Sequence, residues 1–205
     1  MIIYCFLATH RWGSAVPKDN HGGGGNKLWY SFDWGNVHVA MMDSEHDWRS
    51  GSHQYSWLEA DLAAVNRSIT PWVIVTSHRN IYSTQECEEG NYVISTFMRQ
   101  ALDPLFEKYQ VNLVLVAHTH SYERTCLIKN GKCVENGGTQ HITVGSGGAG
   151  LQECGFSPDY GPYSKAATNQ WGYLRVEANQ NAISLEFVLD ADGSVWDYHE
   201  VLPWN

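Results

Sequence analysis

Two apolar runs in the middle of the chain end in histidine. The run VIVTSH ends at His78, and the run VLVAHTH ends at His118 and His120. Residues two apart in an extended segment point to the same side, so His118 and His120 can face one pocket, to which a neighbouring strand can bring His78. Three converging imidazoles suit a transition metal such as zinc or iron, whereas calcium and magnesium prefer oxygen ligands. The pattern predicts a metal site formed by these three histidines.

Other readings of these residues stay open. A lone histidine at a strand end is more often a hydrogen-bonded surface residue than a ligand, so the prediction depends on the H-x-H pair and on the second strand. Asp43 also ends an apolar run and could be a ligand, although a helix-capping or structural carboxylate is the expected role. His21, His46 and His53 lie in polar stretches and are expected to be solvated.

The elements that would position the histidines alternate between strand and helix. Apolar runs predict strands at 37–42, 72–75 and 111–117, and helical spacing predicts helices at 55–65 and 93–109. Pro104 is expected to break or kink the second helix near Asp103. This alternation predicts an α/β fold with a mostly parallel sheet covered on both faces. Ligands of such sheets bind beyond the carboxyl ends of the strands.

The rest of the chain differs in pattern. Residues 125–134 predict a hairpin, and 141–144, 173–178 and 183–189 predict further strands, so a mostly antiparallel β segment follows the α/β part. The apolar start at 1–8 has no basic n-region and no clear small-residue cleavage site, which favours a buried strand or a ragged start over a signal peptide. Residues 13–26 are rich in Gly, Ser, Pro and Asn and predict a loop.

Composition excludes several classes of function. The chain has 205 residues, 13 Lys and Arg against 22 Asp and Glu, a net charge of -9 and 43% hydrophobic residues. Such a chain can bury a core, which argues against disorder, and its acidic balance argues against non-specific nucleic-acid binding. No apolar run reaches the ~18 residues of a membrane span.

The cysteines give no thiolate metal site, because no CxxC pair occurs. An odd count, at positions 5, 87, 126, 133 and 154, leaves at least one cysteine unpaired or bonded to another chain. A strict two-residue hairpin loop at Asn130-Gly131 would pair Ile128 with Cys133 and leave Cys126 on the diagonal, about 7–8 Å away. A looser loop would allow a Cys126–Cys133 disulfide, and both outcomes are open.

Asn66-Arg67-Ser68 is a glycosylation sequon, a triplet that chance also produces.

Several blocks of the sequence resemble one enzyme family. The segment VAHTHSYERT is similar to the last motif block of the calcineurin-like metallophosphoesterases, and its SYER continuation is typical of the purple acid phosphatases. Four further segments resemble blocks of the same family in the same order: KLWYSFDWGNVHVAMMDSE, TPWVIVTSHRNIYS, GTQHITVGSGGAG and WGYLRVEANQ. The resemblance extends from about residue 27 to residue 200.

The resemblance implies an acid phosphatase that hydrolyses phosphate monoesters at a dinuclear metal centre. By motif position, His78 and His118 would bind the divalent ion, which is Zn, Mn or Fe in this family, and His120 would bind the ferric ion. Tyr122, Glu123 and Arg124 would support the site structurally. Members of the family are typically secreted, lysosomal or vacuolar glycoproteins.

The chain also departs from the family pattern. The blocks D-x-G, G-D-x-x-Y and G-N-H-[DE] are expected before residue 27 and do not occur there, and three imidazoles shared between two metals leave both under-coordinated. The stretch 83–88 carries Glu86 and Glu88 where the family often has phosphate-binding histidines. We therefore expect weak or no activity from this chain alone. A missing N-terminal half or a homo-oligomer would complete it.

The expected architecture is a partial αββα sandwich of the metallophosphoesterase type that lacks its N-terminal strands. An irregular segment would occupy 1–26, the C-terminal half of the metallophosphoesterase domain 27–137, and a purple acid phosphatase-type, mostly antiparallel β segment 138–205. The alternative function is a non-catalytic pseudophosphatase that binds one metal or a partner. A histidine-rich metal buffer is less favoured, because the fold, and not sequence clustering, places the histidines.

Overall fold

The computed structural model describes residues 2–4, 28–87 and 89–204. The loop predicted for 13–26, together with Cys5 and His21, lies outside the described residues. Of the strand expected at 1–8, the described part is a short strand, β1 (Ile2–Tyr4).

A large mixed sheet forms the centre of the fold. Its strands, in chain order, are β2 (Tyr30–Trp34), β3 (Val37–Met41), β4 (Trp72–Thr76), β5 (Leu113–Val116), β6 (Tyr122–Lys129), β7 (Lys132–Val134), β8 (Thr139–Val144) and β9 (Ser164–Thr168). The spatial order is β2-β3-β4-β5-β8-β6-β7, with β9 paired to β6. The four central strands β3, β4, β5 and β8 run parallel, as their continuous apolar runs predict.

A second, antiparallel sheet contains β1 and three later strands: β10 (Gly172–Ala178), β11 (Ile183–Leu189) and β12 (Val195–Val201). It confirms the late antiparallel segment predicted from the sequence. β8, however, lies inside the large sheet between β5 and β6. The division of the chain at 137 and 138 stays a prediction.

The large sheet separates two cores. Two helices, α1 (His53–Ala64) and α2 (Glu89–Lys108), pack on one face, and the small sheet packs on the other. Side chains alternate across β4, so Val73 and Val75 contact the helix layer while Trp72 and Ile74 contact the small sheet. This layering confirms the predicted fold class. Neither described helix is long and apolar enough to cross a membrane.

Of the break or kink predicted at Pro104, the break does not occur. α2 runs from Glu89 to Lys108 and includes Pro104. Proline removes one main-chain hydrogen bond from a helix. Three neighbouring side chains, Leu102, Leu105 and Phe106, are at most 2% exposed. Their burial in the helix-side core offsets the loss and keeps the helix continuous.

The hairpin between β6 and β7 turns at Asn130 and Gly131, whose φ angles are 51° and 66°. This is the tight Asn-Gly turn, and it pairs Ile128 with Cys133 as the two-residue loop predicts. Cys126 nevertheless forms a disulfide with Cys133, and their Cα atoms are 5.5 Å apart. β6 also carries a register irregularity in its pairing with β8, between Arg124 and Leu127, the stretch that contains Cys126.

A buried histidine fastens the edge of the large sheet to α1. The ring of His38 on β3 lies 2.9 Å from an oxygen of Asp61 in α1 and 2.7 Å from an oxygen of Asp33 on β2. Burial disfavours the charged ring, but hydrogen bonds and charge from Asp61 and Asp33 outweigh it and raise the pKa of His38. His38 therefore has a structural role.

Candidate metal centre

The two histidine segments lie at the carboxyl ends of adjacent parallel strands. β4 leads into His78, and β5 leads into His118 and His120. The main-chain carbonyl of His78 accepts hydrogen bonds from the amides of Ala117, at 3.1 Å, and His118, at 3.0 Å. The backbone therefore fixes the two segments against each other before any side chain contributes.

The rings of His78 and His118 contact each other. The Nε2 atom of His78 lies 2.9 Å from the Nδ1 atom of His118, and the rings are nearly perpendicular, at 89°, with centroids 4.8 Å apart. The Nδ1 atom of His78 is buried and forms no hydrogen bond with the described residues. The two ring nitrogens thus lie within hydrogen-bonding distance of each other.

The surroundings favour the neutral form of His78. Burial is the main reason that its pKa is lowered, and the positive charges of Arg79 and His120 act in the same direction. Glu45 and Asp43 oppose the shift without cancelling it. A neutral imidazole is the form that binds a metal ion, so His78 keeps this form at lower pH than a free histidine would.

His120 does not join the pair directly. Its Nδ1 atom lies 2.7 Å from the main-chain carbonyl of Gly150, in the loop after β8. Its charge contributes to the lowered pKa of His78. Within 28–87 and 89–204, no group of three or more His, Cys, Asp or Glu side chains converges to hold a metal. The three-histidine site stays a prediction.

The His78–His118 pair fits half of a metal site. Two nitrogen ligands of one tetrahedral zinc ion, each about 2.0–2.1 Å from the metal, are roughly 3.4 Å apart. The observed separation of 2.9 Å is slightly shorter, so a small outward movement of the rings would admit an ion. The described residues thus bring two imidazole nitrogens together and do not form a complete ligand set.

Carboxylates line the rim on the side of β3. One oxygen of Asp43 accepts a hydrogen bond from the amide of Glu45 at 2.8 Å, and the other lies 2.7 Å from Nδ1 of His46. Arg79 donates to the Glu45 carboxylate from Nε at 2.8 Å and from Nη2 at 2.9 Å. Hydrogen bonding from Arg79 lowers the pKa of Glu45. Asp43 therefore stabilises a turn, and Arg79 is paired with a carboxylate.

The loop after His78 is held in place by Glu123. The Glu123 carboxylate is 1% exposed and accepts hydrogen bonds from the amide of Thr84 at 3.0 and 3.1 Å, from the Thr84 hydroxyl at 2.6 Å and from the Ser83 hydroxyl at 3.0 Å. A disulfide between Cys87 and Cys154, with Cα atoms 5.9 Å apart, ties the same loop to the one after β8. The loop is thus attached at both ends.

The neighbours of Glu123 on β6 face the opposite sheet. Asp197 on β12 accepts hydrogen bonds from the Tyr122 hydroxyl at 2.7 Å and from the Arg124 guanidinium at 2.7 and 2.9 Å. Tyr122, Glu123 and Arg124 therefore make structural contacts on alternate sides of one strand. The sequence expectation of structural support near the site agrees with this geometry.

Sequence reasoning missed two features of the site. The Cys87–Cys154 disulfide joins residues 67 positions apart, and no spacing rule indicates such a pair. Asn80 lies two residues after His78, and its buried amide contacts Thr119 and Thr143. Its position beside a candidate ligand was the only available signal. The contact with Thr143 depends on the placement of β8, which the sequence pattern does not give.

Two family comparisons bear on this arrangement. The sequence model of the calcineurin-like phosphoesterases matches residues 11–122. The model described as iron/zinc purple acid phosphatase-like protein C matches residues 138–198. The fold and the first match define the class, and the chain belongs to the calcineurin-like phosphoesterases.

Similar proteins narrow the class. "Probable inactive purple acid phosphatase 1" of Arabidopsis thaliana is 35% identical over 195 residues, which are 89% of this chain and 31% of that protein. "Purple acid phosphatase 22" of the same plant is 36% identical, over 85% of this chain and 37% of that protein. The solved purple acid phosphatase PPD1 from yellow lupin seeds superposes with a TM-score of 0.77 and 33% identity, over 86% of this chain and 33% of that one.

Within the class, the chain is a member of the purple acid phosphatase family. It spans about a third of the length of the relatives that it matches.

Proposed function

We propose that this chain is part of a metal-dependent phosphatase, and that the complete protein hydrolyses phosphate monoesters. The observation that carries the proposal is the 2.9 Å approach of His78 Nε2 and His118 Nδ1 at the carboxyl ends of β4 and β5. These two nitrogens would hold the divalent ion, for which zinc, manganese and iron are the candidates. A bound metal would lower the pKa of a coordinated water and neutralise charge on the phosphate.

His120 is the proposed ligand of the second, ferric ion. The Nδ1–H of His120 donates a hydrogen bond to the carbonyl of Gly150, which leaves the lone pair on Nε2. A metal-binding histidine characteristically donates its other ring N–H to a carbonyl in this way. The orientation of the ring is therefore compatible with a ligand that faces away from the loop after β8.

The chain alone is proposed to be weakly active or inactive. The described residues supply two converging histidines and no larger ligand group, and the loop at 83–87 carries Glu86 and no cationic side chain. Glu86 would repel an anionic substrate. The word "inactive" in the name of the Arabidopsis relative supports the alternative proposal, a non-catalytic protein that binds one metal or a partner through this site.

A secretory or vacuolar location is part of the proposal. Two disulfides, Cys87–Cys154 and Cys126–Cys133, suit an oxidising compartment. The sequon at Asn66 is exposed, and the Ser68 hydroxyl donates to the Asn66 side chain at 2.6 Å. Arg67 between them binds main-chain carbonyls of the folded body, so the turn projects Asn66 outward for glycosylation.

The test is metal titration of the 205-residue chain. Zn²⁺ affinity would be measured by calorimetry for the wild-type chain, for His118→Ala, and for His53→Ala, which removes an exposed histidine at the start of α1. We expect one equivalent of zinc to bind, loss of binding in His118→Ala and unchanged binding in His53→Ala. Equal affinity in all three proteins would contradict the proposal.

Turnover separates the two versions of the proposal. Hydrolysis of p-nitrophenyl phosphate would be measured after reconstitution with iron and zinc, with His120→Ala as the paired variant. We expect little turnover from the wild-type chain. Strong turnover that His120→Ala abolishes would show that the chain is a complete catalyst and overturn the expectation of weak activity.

A further inference from the structure

Asn80 joins three segments around the histidine pair. Its side chain is buried at 1% exposure. The side-chain oxygen accepts hydrogen bonds from the amide of Thr119 at 3.3 Å and from the Thr119 hydroxyl at 3.1 Å. The side-chain nitrogen donates to the Thr143 hydroxyl on β8 at 2.7 Å. One amide group therefore uses its donor and its acceptor to connect the segments after β4 and β5 with β8.

Asn80 and its partner Thr119 both lie next to the candidate metal ligands in the chain. Asn80 lies two residues after His78, and Thr119 lies between His118 and His120. The backbone hydrogen bonds from Ala117 and His118 to the His78 carbonyl already join the two strand ends. The Asn80 amide supplies a second attachment on the loop side, which restrains rotation of one segment relative to the other.

A further hydrogen bond attaches Asn80 to the helix layer. The Ser95 hydroxyl of α2 donates to the main-chain carbonyl of Asn80 at 2.7 Å. This bond holds the backbone of the loop and does not involve the amide group. Ser95 therefore offers a matched position at which the loop can be loosened while the attachment to Thr119 and Thr143 is kept.

We propose that Asn80 is a positioning residue that sets the separation of the His78 and His118 ring nitrogens. Its side-chain hydrogen bonds go to Thr119 and Thr143, so it acts through the segments that carry the rings. Removal of the amide leaves the Thr119 N–H and the Thr143 hydroxyl without their buried partner, and the two segments then move apart to reach water. The affinity test of this inference rests on the proposed metal site, whereas a metal-free test does not.

The first experiment compares zinc affinity. Residues that orient metal ligands through hydrogen bonds usually change affinity by about 10–100-fold when they are replaced. We expect Asn80→Ala to weaken zinc binding to that extent, and Ser95→Ala to bind zinc like the wild-type chain even though it also destabilises the loop. Thermal unfolding of both variants records the stability loss, so an affinity loss confined to Asn80→Ala separates positioning from general destabilisation.

The second experiment uses the metal-free protein. Nuclear Overhauser contacts between the ring protons of His78 and His118 report the observed ring contact directly. We expect these contacts in the wild-type chain and in Ser95→Ala, and their loss in Asn80→Ala. If the wild-type chain binds no zinc, the proposed function fails, and the ring contacts still decide whether Asn80 positions the pair.

Thr143 keeps the inference testable if Asn80→Ala does not fold. Thr143→Val removes the hydroxyl that accepts from Asn80, whereas Thr143→Ser keeps it. We expect the valine variant to weaken zinc binding and ring contacts and the serine variant to restore both. Wild-type affinity together with intact ring contacts in Asn80→Ala, or in Thr143→Val, would overturn the inference.

Discussion

His141 lies at the core of the helix side, where its ring contacts Tyr82 and Phe106 at centroid distances of 4.7 and 6.4 Å. Burial lowers its pKa to about 3, and the positive charge of Arg99 adds to the effect. Its Nδ1 atom forms no hydrogen bond with the described residues. The folded protein therefore keeps this ring neutral well into the acid range.

The consequence is a loss of stability on acidification. The unfolded chain takes up a proton at His141 near pH 6.5, whereas the folded chain does so only at about pH 3, so the unfolding free energy falls between these values. At pH 5 the expected loss is roughly 2 kcal/mol relative to pH 7. Between pH 7 and pH 5, we expect the unfolding free energy of His141→Leu to fall by roughly 2 kcal/mol less than that of the wild-type chain. Urea denaturation at both pH values would measure the difference.

Exposed His53 provides the control for this measurement. His53→Gln removes an exposed histidine outside the core and should follow the wild-type pH dependence of stability. A His141→Leu variant whose stability falls with acid as steeply as that of the wild-type chain would contradict the assignment.

Local sequence signals identified some histidines and not others. His78, His118 and His120 stood out because each follows an apolar run, and the backbone of a parallel sheet brings such ends together. His38 and His141 have no comparable signal. The partner of His38 in α1, Asp61, is 23 residues away, and the burial of His141 follows from the position of β8. Such roles depend on tertiary contacts that a single sequence does not display.

At the scale of elements, the sequence predicted most strands and both helices. Apolar runs and helical spacing placed β3, β4, β5, α1 and α2 within a few residues of their observed bounds. The sequence did not indicate β2, β9 or β12. Two arrangements also escaped: α2 continues through Pro104, and β8 inserts between β5 and β6. Core packing decides the first and strand pairing decides the second. Both are long-range effects that override local propensity.

The loop after β4 depends on a single buried carboxylate. Glu123→Gln keeps the shape of the side chain but replaces one acceptor oxygen with an amide donor, opposite the amide of Thr84 and the hydroxyls of Thr84 and Ser83. We expect a loss of about 2–3 kcal/mol in unfolding free energy, typical of hydrogen bonds to a charged group. Urea denaturation would measure it.

An exposed glutamate tests whether this loss is specific. Glu135→Gln changes the same charge at an exposed position between β7 and β8 and should leave stability unchanged. We also expect limited proteolysis to cleave Glu123→Gln within 83–87 sooner than the wild-type chain, because only the Cys87–Cys154 disulfide then holds the loop. Equal stability and equal cleavage in both variants would show that Glu123 does not hold the loop.

At the scale of the whole molecule, one cluster connects the two sheets. Tyr122 on the large sheet stacks on Phe187 of the small sheet, with ring centroids 4.0 Å apart and an interplanar angle of 14°. Its hydroxyl and the Arg124 guanidinium both bind Asp197, whose side chain is 12% exposed. The strand that follows His120 is therefore attached to the far sheet, and the small sheet supports the site from behind.

Asp197 is the residue whose loss should uncouple the sheets. Burial opposes its ionisation, but hydrogen bonds from Arg124 and Tyr122 outweigh this effect and lower its pKa, so the ion pair contributes stability above the unfolded pKa and loses it as the pH falls through the folded pKa. Asp197→Ala leaves the Arg124 charge largely buried without a partner, which should cost about 3 kcal/mol at pH 7. Urea denaturation at pH 7 would measure this loss.

Asp47→Ala is the control: it breaks an exposed pair with Arg49 and should leave stability unchanged. Equal stability of the two variants would mean that the Asp197 interactions add nothing to the apolar packing between the sheets.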